Sequence, residues 1–348
     1  MSELLGFAVI GAGRMGRRRA TAIAQNSGAK LVCIADNEED MSKQLAEELN
    51  CSYCADYTQA IDRDDVDVVA IEMPNKFHKE VALKAMELGK HIFCEKPMTI
   101  DTEDAKLLVK TSLKTDTYLK VSSNVRYFKN IVKAKEILDR GMVGKPLFMR
   151  GWIGHGGWNL KNGSWFTDPE FVGGGTLLDN GCHLVDITRW LMGELSECVG
   201  LKMDLLHNLN RLEDNAMAIM KTEEDKPVFI QSSWTEWNGY LYFEIYGSKG
   251  ALYVDSRGKS AKTTLKTPDS EEVFDYSNEP PISFKLEIDD FINSVKEHKM
   301  LPPSGYDGLR VVEIINKLYE SSKTGRWVNV RGDKFLEKKV RDQYERNV

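Results

Sequence analysis

The chain has no apolar run approaching the roughly 20 residues that a membrane-spanning helix needs, so no transmembrane segment is expected. It also lacks a basic excess. Its 47 Lys plus Arg stand against 53 Asp plus Glu, a net charge of −6. A non-specific nucleic-acid binder needs a basic surface to neutralise phosphates, and that class is excluded. Met1–Gly16 has an apolar middle but no basic leading region, and glycines interrupt it, so it predicts no signal peptide. Cysteine is scarce, six in 348 residues. Without a secretory signal these are expected to be reduced thiols in the cytoplasm. Internal repeats and low-complexity linkers are missing as well. Collagen, coiled coil, secreted disulfide scaffold and membrane protein are therefore ruled out. What remains is 42% hydrophobic and 29% charged, the balance of a soluble globular protein. At roughly 100–200 residues per domain, the length predicts two domains.

The first third alternates short β-branched runs with amphipathic stretches. Gly6–Ile10, Lys30–Ala35, Val66–Ile71 and His91–Cys94 predict buried strands, and Tyr118–Ser122 one more. Between them Arg14–Asn26, Glu39–Leu49, Lys76–Leu88 and Thr102–Thr115 predict helices, the third stopped by Gly89. That alternation implies an α/β fold with a parallel sheet. After about Ser123 the pattern changes. Helices are expected over Asn130–Arg140, Thr176–Leu191, Ser283–Glu297 and Gly308–Ser321. Strands are expected over Pro146–Ile153, Ala216–Lys221, Val228–Trp234, Tyr240–Tyr246, Ala251–Val254 and Trp327–Val330. Short turns such as Gly247-Ser-Lys-Gly250 suggest a mainly antiparallel sheet. The mixed charges of Lys334–Arg346 predict a solvated or partner-packing helix. The expected domains are 1–123 and 124–348.

Gly11-Ala12-Gly13-Arg14-Met15-Gly16 follows the first strand and opens the first helix. A G-x-G-x-x-G in that place supplies a tight turn, a close backbone approach to a pyrophosphate, and close helix–strand packing. The helix N-terminus adds unpaired N–H groups for phosphate. Asp36 ends the second strand 20 residues past Gly16, where a carboxylate binds ribose hydroxyls. It favours NAD over NADP, because it would repel a 2′-phosphate. Arg17, Arg18 and Arg19 would suit that phosphate, but they lie inside the helix and predict a solvated face.

Asp179, His183 and Asp186 stand at i, i+4 and i+7, one face of a helix. Catalysis, a surface salt bridge and a metal site are the competing readings, and a metal would need ligands this spacing does not show. Cys51 and Cys54 form a lone C-x-x-C in a strand-like stretch, read as incidental. Trp152, Trp158 and Trp165 surround Gly154-His155-Gly156-Gly157. Such aromatics suit a sugar ring or a core between domains.

Several motifs together resemble the glucose–fructose oxidoreductase/inositol dehydrogenase (Gfo/Idh/MocA) family over nearly the whole chain. They are the glycine loop, Pro74-Asn75 with His78, Glu95-Lys96-Pro97, Asn124-Val-Arg126-Tyr127, Gly173-Gly174-Gly175 through Asp179 to His183, Tyr246–Ala251 and Ser321–Trp327. The resemblance implies an N-terminal Rossmann domain and a C-terminal α/β domain with a large, mainly antiparallel open sheet. It assigns cofactor contacts to Gly11, Gly13, Arg14, Met15, Gly16, Asp36, Pro74, Asn75, His78, Glu95, Lys96 and Pro97. It assigns substrate contacts to Lys96, Asp179 and His183, while Arg126 and Tyr127 are candidates by position and His155 and Trp165 by their place in the aromatic, glycine-rich loop. Lys96 and His183 would flank the reacting hydroxyl and Asp179 assist, with no metal. Many relatives carry Arg after the Trp that precedes the triple glycine, whereas here the pair is Trp165-Phe166.

The implied activity is NAD-dependent oxidation of a ring hydroxyl of a sugar, sugar nucleotide or cyclitol. A His is suited to take the hydroxyl proton and a Lys to orient the oxygen. Two alternatives remain: a glycosidase using transient oxidation with tightly bound NAD, and a non-enzymatic dinucleotide-binding regulator. A homodimer or homotetramer through the exposed sheet face is expected, in keeping with the aromatic run Tyr240–Tyr246.

Overall fold

The computed structural model describes residues 4–157, 160, 164–209 and 211–345. Trp158, one of the three tryptophans of the glycine-rich loop, lies outside them. Contacts divide the chain into two units. The first comprises Met1–Asn124, Ile282–Arg310 and Asp333–Val348, and the second Val125–Pro281 with Val311–Gly332. The expected cut at 123 lies beside the first of these boundaries, and two later segments return to the first unit. Apolar residues bring the chain back: Phe291 meets Phe93 edge-on at 5.6 Å, and Ile292 Cγ2 lies 3.2 Å from where a side chain on Gly28 would begin.

In the first unit β1 (Leu5–Ile10), β2 (Ala29–Ala35), β3 (Ser52–Cys54), β4 (Val68–Ile71), β5 (His91–Cys94) and β6 (Leu119–Val121) form one parallel sheet in the order 3-2-1-4-5-6. Its helices are α1 (Arg14–Ala24), α2 (Glu39–Leu49), α3 (Tyr57–Ile61), α4 (His78–Glu87) and α5 (Thr102–Thr115). All of β4 is buried, as its unbroken Val-Val-Ala-Ile run demands of a central parallel strand. The strand order reverses direction at β1–β4, so the loops after these strands open at the switch point where such sheets bind ligands. Cys54 proves to be a neighbour of Cys33, with 3.1 Å between sulfurs, and all six cysteines are free.

The second unit opens with α6 (Lys129–Asp139) and β7 (Pro146–Gly154), followed by a four-residue α7 (Pro169–Val172) and by α8 (Cys182–Met192). Then come β8 (Leu195–Met203), β9 (Asn215–Thr222), β10 (Pro227–Ser233), β11 (Leu241–Gly247), β12 (Ala251–Asp255), β13 (Lys262–Lys266) and β14 (Glu271–Asp275). With β15 (Val328–Asn329) they make a nine-stranded sheet in the order 14-13-12-11-7-10-9-8-15. Neighbours are antiparallel except β7 and β10, which run parallel. Strands β8, β13 and β14 were not expected; Lys-Thr-Thr-Leu-Lys and Glu-Glu-Val-Phe-Asp are polar, and β14 is an edge strand without a buried face.

One face of this sheet is the core. Ile230, Phe243, Ile245 and Leu252 pack there with Leu184, Ile187, Ile314 and Leu318. The other face alternates outward, leaving Ile219, Phe229 and Phe148 exposed. The chain ends with α9 (Ser283–Lys296), α10 (Gly305–Thr324) and α11 (Lys334–Glu345).

Candidate functional site

In the first unit, the loop after β1 is held by tight contacts. Gly11 has φ +105°, and a Cβ there would stand 2.4 Å from the Glu72 carbonyl oxygen. A Cβ on Gly16 would sit 1.8 Å from the Gly11 oxygen, so helix and turn approach as only glycine allows. Gly13 differs: nothing lies within 4 Å of its Cβ position. Its open side is where a pyrophosphate can reach backbone. Gly13 is also the N-cap of α1, and having no side chain it leaves the first-turn N–H groups facing outward, at the positive end of the helix dipole.

Asp36 completes the cradle from the end of β2. Its Oδ2 accepts the Ala12 N–H at 2.6 Å and its Oδ1 the Glu38 N–H at 2.9 Å. An ionised carboxylate has about four acceptor sites, so capacity for ribose hydroxyls remains. Glycine loop, bare helix terminus and tethered carboxylate fit a dinucleotide, and Arg14 and Met15 occupy the first two helical positions beneath it.

The three arginines of α1 separate. Arg17 is exposed and pairs with Glu48. Arg19, expected on a solvated face, is instead fully buried. Its Nε meets Glu72 at 2.8 Å, one terminal nitrogen meets Glu287 at 2.9 Å, and the other meets Glu95 at 3.5 Å and Ser122 Oγ at 2.8 Å. Its guanidinium also lies 4.1 Å from the Phe93 ring centroid. The reason is helical spacing, since Gly16, Arg19, Ala20 and Ile23 share the buried face of α1. Glu95 thus reaches inward to Arg19 while the next residue, Lys96, is partly exposed. The Lys96–Pro97 peptide is cis.

Pro74 caps a short 3₁₀ turn, Asn75–Phe77, that leads into α4. His78 is buried with Nε2 2.7 Å from the Met73 carbonyl and Nδ1 3.0 Å from the Pro97 carbonyl. It braces the loops after β4 and β5 against each other. Burial pushes its pKa down although both carbonyls favour the charged ring.

In the second unit, Asp179 and His183 do not share one regular helix, which corrects the i, i+4 reading. Leu177–Gly181 is a π-helical turn, and α8 begins at Cys182. A wider turn advances each residue less around the axis, which moves Asp179 off the α-helical line. Its Oδ2 accepts from the Trp234 indole N–H at 3.3 Å. Trp234 is buried among Val172, Leu209, Leu212 and Phe166, and its backbone carbonyl lies 3.1 Å from His207 Nε2. No motif marks Trp234. It is simply the residue after β10, and only the fold brings it to Asp179. His183 is buried in the first turn of α8.

Arg126 is buried and gives a two-pronged pair to Asp186, with Nε to Oδ2 at 2.7 Å. It holds the 3₁₀ turn Asn124–Tyr127 to α8. Tyr127 is half-buried beside it. His155 Nδ1 accepts the Gly157 N–H at 3.1 Å, and its ring stacks 6.4 Å from Trp234. Trp165 is 46% exposed and meets Phe166 edge-on at 5.6 Å. Trp152 does not join them. It stacks on Tyr242 at 4.5 Å, in the outward-facing aromatic row of the sheet. Strand alternation separates it from Ile153, which is in the core. Among the described residues no cluster of His, Cys, Asp and Glu is arranged to hold a metal, and no helix is long and apolar enough to cross a membrane.

Comparison with known proteins agrees with this cofactor half. A curated relative from Bacillus subtilis, scyllo-inositol 2-dehydrogenase (NAD(+)), is 27% identical over 86% of this chain and 88% of its own length. Another, 2,7-anhydro-N-acetylneuraminate hydratase from Mediterraneibacter gnavus, is 28% identical over 78% of this chain and 72% of its own. The solved structure of a levoglucosan dehydrogenase in complex with NADH shares the fold with a TM-score of 0.87, at 23% identity over 95% of this chain and all of that one. The oxidoreductase family model described as an NAD-binding Rossmann fold matches residues 5–123, and the C-terminal domain model of the same family matches 131–253. The chain therefore belongs to the GFO/IDH/MocA family of NAD-binding oxidoreductases.

Proposed function

We propose that this oxidoreductase removes a hydride from a ring secondary hydroxyl of a sugar, sugar nucleotide or cyclitol. NAD supplies the hydride acceptor, and the alcohol leaves as a ketone with one proton released. The cradle of Gly11, Gly13, Gly16 and Asp36 holds the dinucleotide, with Pro74, Asn75, Glu95 and Pro97 in the loops that follow neighbouring strand ends. Lys96 orients the hydroxyl oxygen and stabilises the developing alkoxide. His183 receives the hydroxyl proton on a ring nitrogen. Asp179 assists by fixing the orientation of the acid–base pair, and His155, Trp165 and Tyr127 contact the ring. Arg126 acts on this site through Asp186 and α8.

The observation that carries the reading is the tethered Asp179 on a widened turn, with the buried His183 on the first turn of α8. The relatives named as inositol and levoglucosan dehydrogenases support the substrate class. Reduced-nicotinamide absorbance with inositols, hexoses, hexose phosphates and nucleotide sugars tests it. A rise with one class, lowered at least about a hundredfold in His183→Ala and in Lys96→Ala while NAD still binds, is expected. Near-normal turnover in both variants would overturn the assignment.

A second reading has one observation in its favour. A relative named as a hydratase performs no net oxidation, and redox-assisted cleavage of a glycoside with retained NAD has the same balance. Nicotinamide bound to the purified protein, with no turnover of added NAD, would select it.

The outer sheet face supports association as a homodimer or homotetramer. Phe148 stacks on Tyr246 at 4.6 Å and Trp152 on Tyr242, beside exposed Leu201, Ile219 and Phe229. The six unbridged thiols support a cytoplasmic location.

A further inference from the structure

A cavity of about 350 Å³ lies in the second unit between the triple-glycine segment, the end of β8, the loop before β9 and the C-terminal half of α10. Three cations line it: Lys202 from β8, Arg211 from the loop and Lys323 from α10. None of the three takes part in an ion pair among the described residues. Glu320, the exposed acid at the rim, is already paired with Lys317 at 2.7 Å.

Glu213 belongs to the same lining and is buried. Its Oε1 accepts the Leu177 N–H at 3.0 Å and the Tyr319 hydroxyl at 2.8 Å. Its Oε2 is buried with no hydrogen-bond partner. A buried oxygen without a partner is destabilising unless something meets it. Burial pushes the Glu213 pKa up, against the donors on Oε1.

The walls are preorganised. Arg211 has φ +81°, a left-handed conformation that a non-glycine adopts only when its surroundings impose it. Its loop is pinned by Asp204, which accepts two backbone N–H groups, and by Asp214, which accepts three. The glycines of the triplet are shaped by this wall. A Cβ on Gly174 would lie 2.2 Å from the Tyr319 hydroxyl, and one on Gly175 1.9 Å from the Glu213 carbonyl oxygen. Lys202 Nζ stands 5.5 Å from the Tyr319 ring centroid.

We propose that this cavity binds a small oxyanion, a phosphate or carboxylate group, held by Lys202, Arg211 and Lys323 above Glu213 and Tyr319. Three cations from three segments, none in an ion pair among the described residues, line one open pocket, and that lining matches an anion. The site is joined to the candidate catalytic turn by one residue. Glu213 accepts the Thr176 N–H with its carbonyl and the Leu177 N–H with its carboxyl, two residues before Asp179.

The test is calorimetric titration of inorganic phosphate, and separately malonate, into the full chain saturated with NAD, with sodium chloride at matched ionic strength as the blank. Saturating NAD fills the glycine-loop phosphate site, so the heat reports a different place. Saturable binding of either anion is expected, and which one binds tighter identifies the group. The double variant Lys202→Met/Arg211→Met should weaken it at least about tenfold, Lys323→Met about threefold, and Lys266→Met on β13 not at all. Glu213→Gln, which takes the acid out of the wall, should bind at least as tightly as the parent. Unchanged thermal unfolding in the cation variants establishes that the fold is intact. Heat no greater than with chloride, undiminished affinity in the double variant, or equal weakening by Lys266→Met would each overturn the proposal.

Discussion

Two buried arginines, one in each unit, are held by different sets of acids. Arg126 meets Asp186 in a two-pronged pair. Arg19 faces three carboxylates, Glu72, Glu95 and Glu287, so the cluster carries excess negative charge whenever all three ionise. A low-dielectric interior does not tolerate that excess, and the response is a raised pKa. Burial pushes Glu72 up to about 8, opposed by Arg19 and reinforced by Glu95. Glu287 is raised by burial in the same way, again against Arg19. The Arg126 pair is thus a brace, and the Arg19 cluster a brace that holds a proton.

Removing each hub is the strongest way to separate the two. Arg19→Met leaves three buried acids with no cation and should cost about 5 kcal/mol, enough to unfold a domain of ordinary stability. Chemical denaturation would show it, and a loss below about 1 kcal/mol would mean that the carboxyls are already neutral. Asp186→Leu removes the two-pronged partner of a buried guanidinium and should cost about 3 kcal/mol in the same assay.

The proton gives a subtler difference. A carboxyl whose folded pKa lies above its unfolded value stabilises the fold while protonated. For Glu72 that stabilisation is full below about pH 4.5 and is lost as pH rises toward 8. Melting temperature should therefore fall across this window, and less steeply in Glu72→Gln. Equal slopes in parent and variant would assign the proton elsewhere. The smallest effect belongs to the second unit. Trp234→Phe removes the indole N–H from Asp179 and should lower kcat roughly fivefold, about 1 kcal/mol, with KM for NAD unchanged.

The first unit was the more legible. Its strands, its glycine loop and Asp36 are local signals, because a parallel strand buried on both faces reads as an apolar run and a phosphate turn needs glycine at set spacing. The substrate half was legible as a motif, Gly173 to His183, yet its geometry was not. Helical spacing predicted one face for Asp179 and His183, whereas the π turn and Trp234 depend on a strand some fifty residues later. Arg19 makes the same point. Its place in an arginine run predicted solvent, and the acids that pair with it come from the residues just after β4 and β5 and from α9.

The sequence by itself determined the fold class, the dinucleotide loop and the residue types available for acid–base chemistry. These follow from periodicity and from spacing within a few residues, where the backbone alone sets which side chains are neighbours. Only the tertiary structure decided which buried charges meet, which tryptophan holds Asp179, and that Glu213 lines one pocket with three cations. Those pairings join residues far apart in the chain. Their energies come from desolvation, which exists only once the interior has formed.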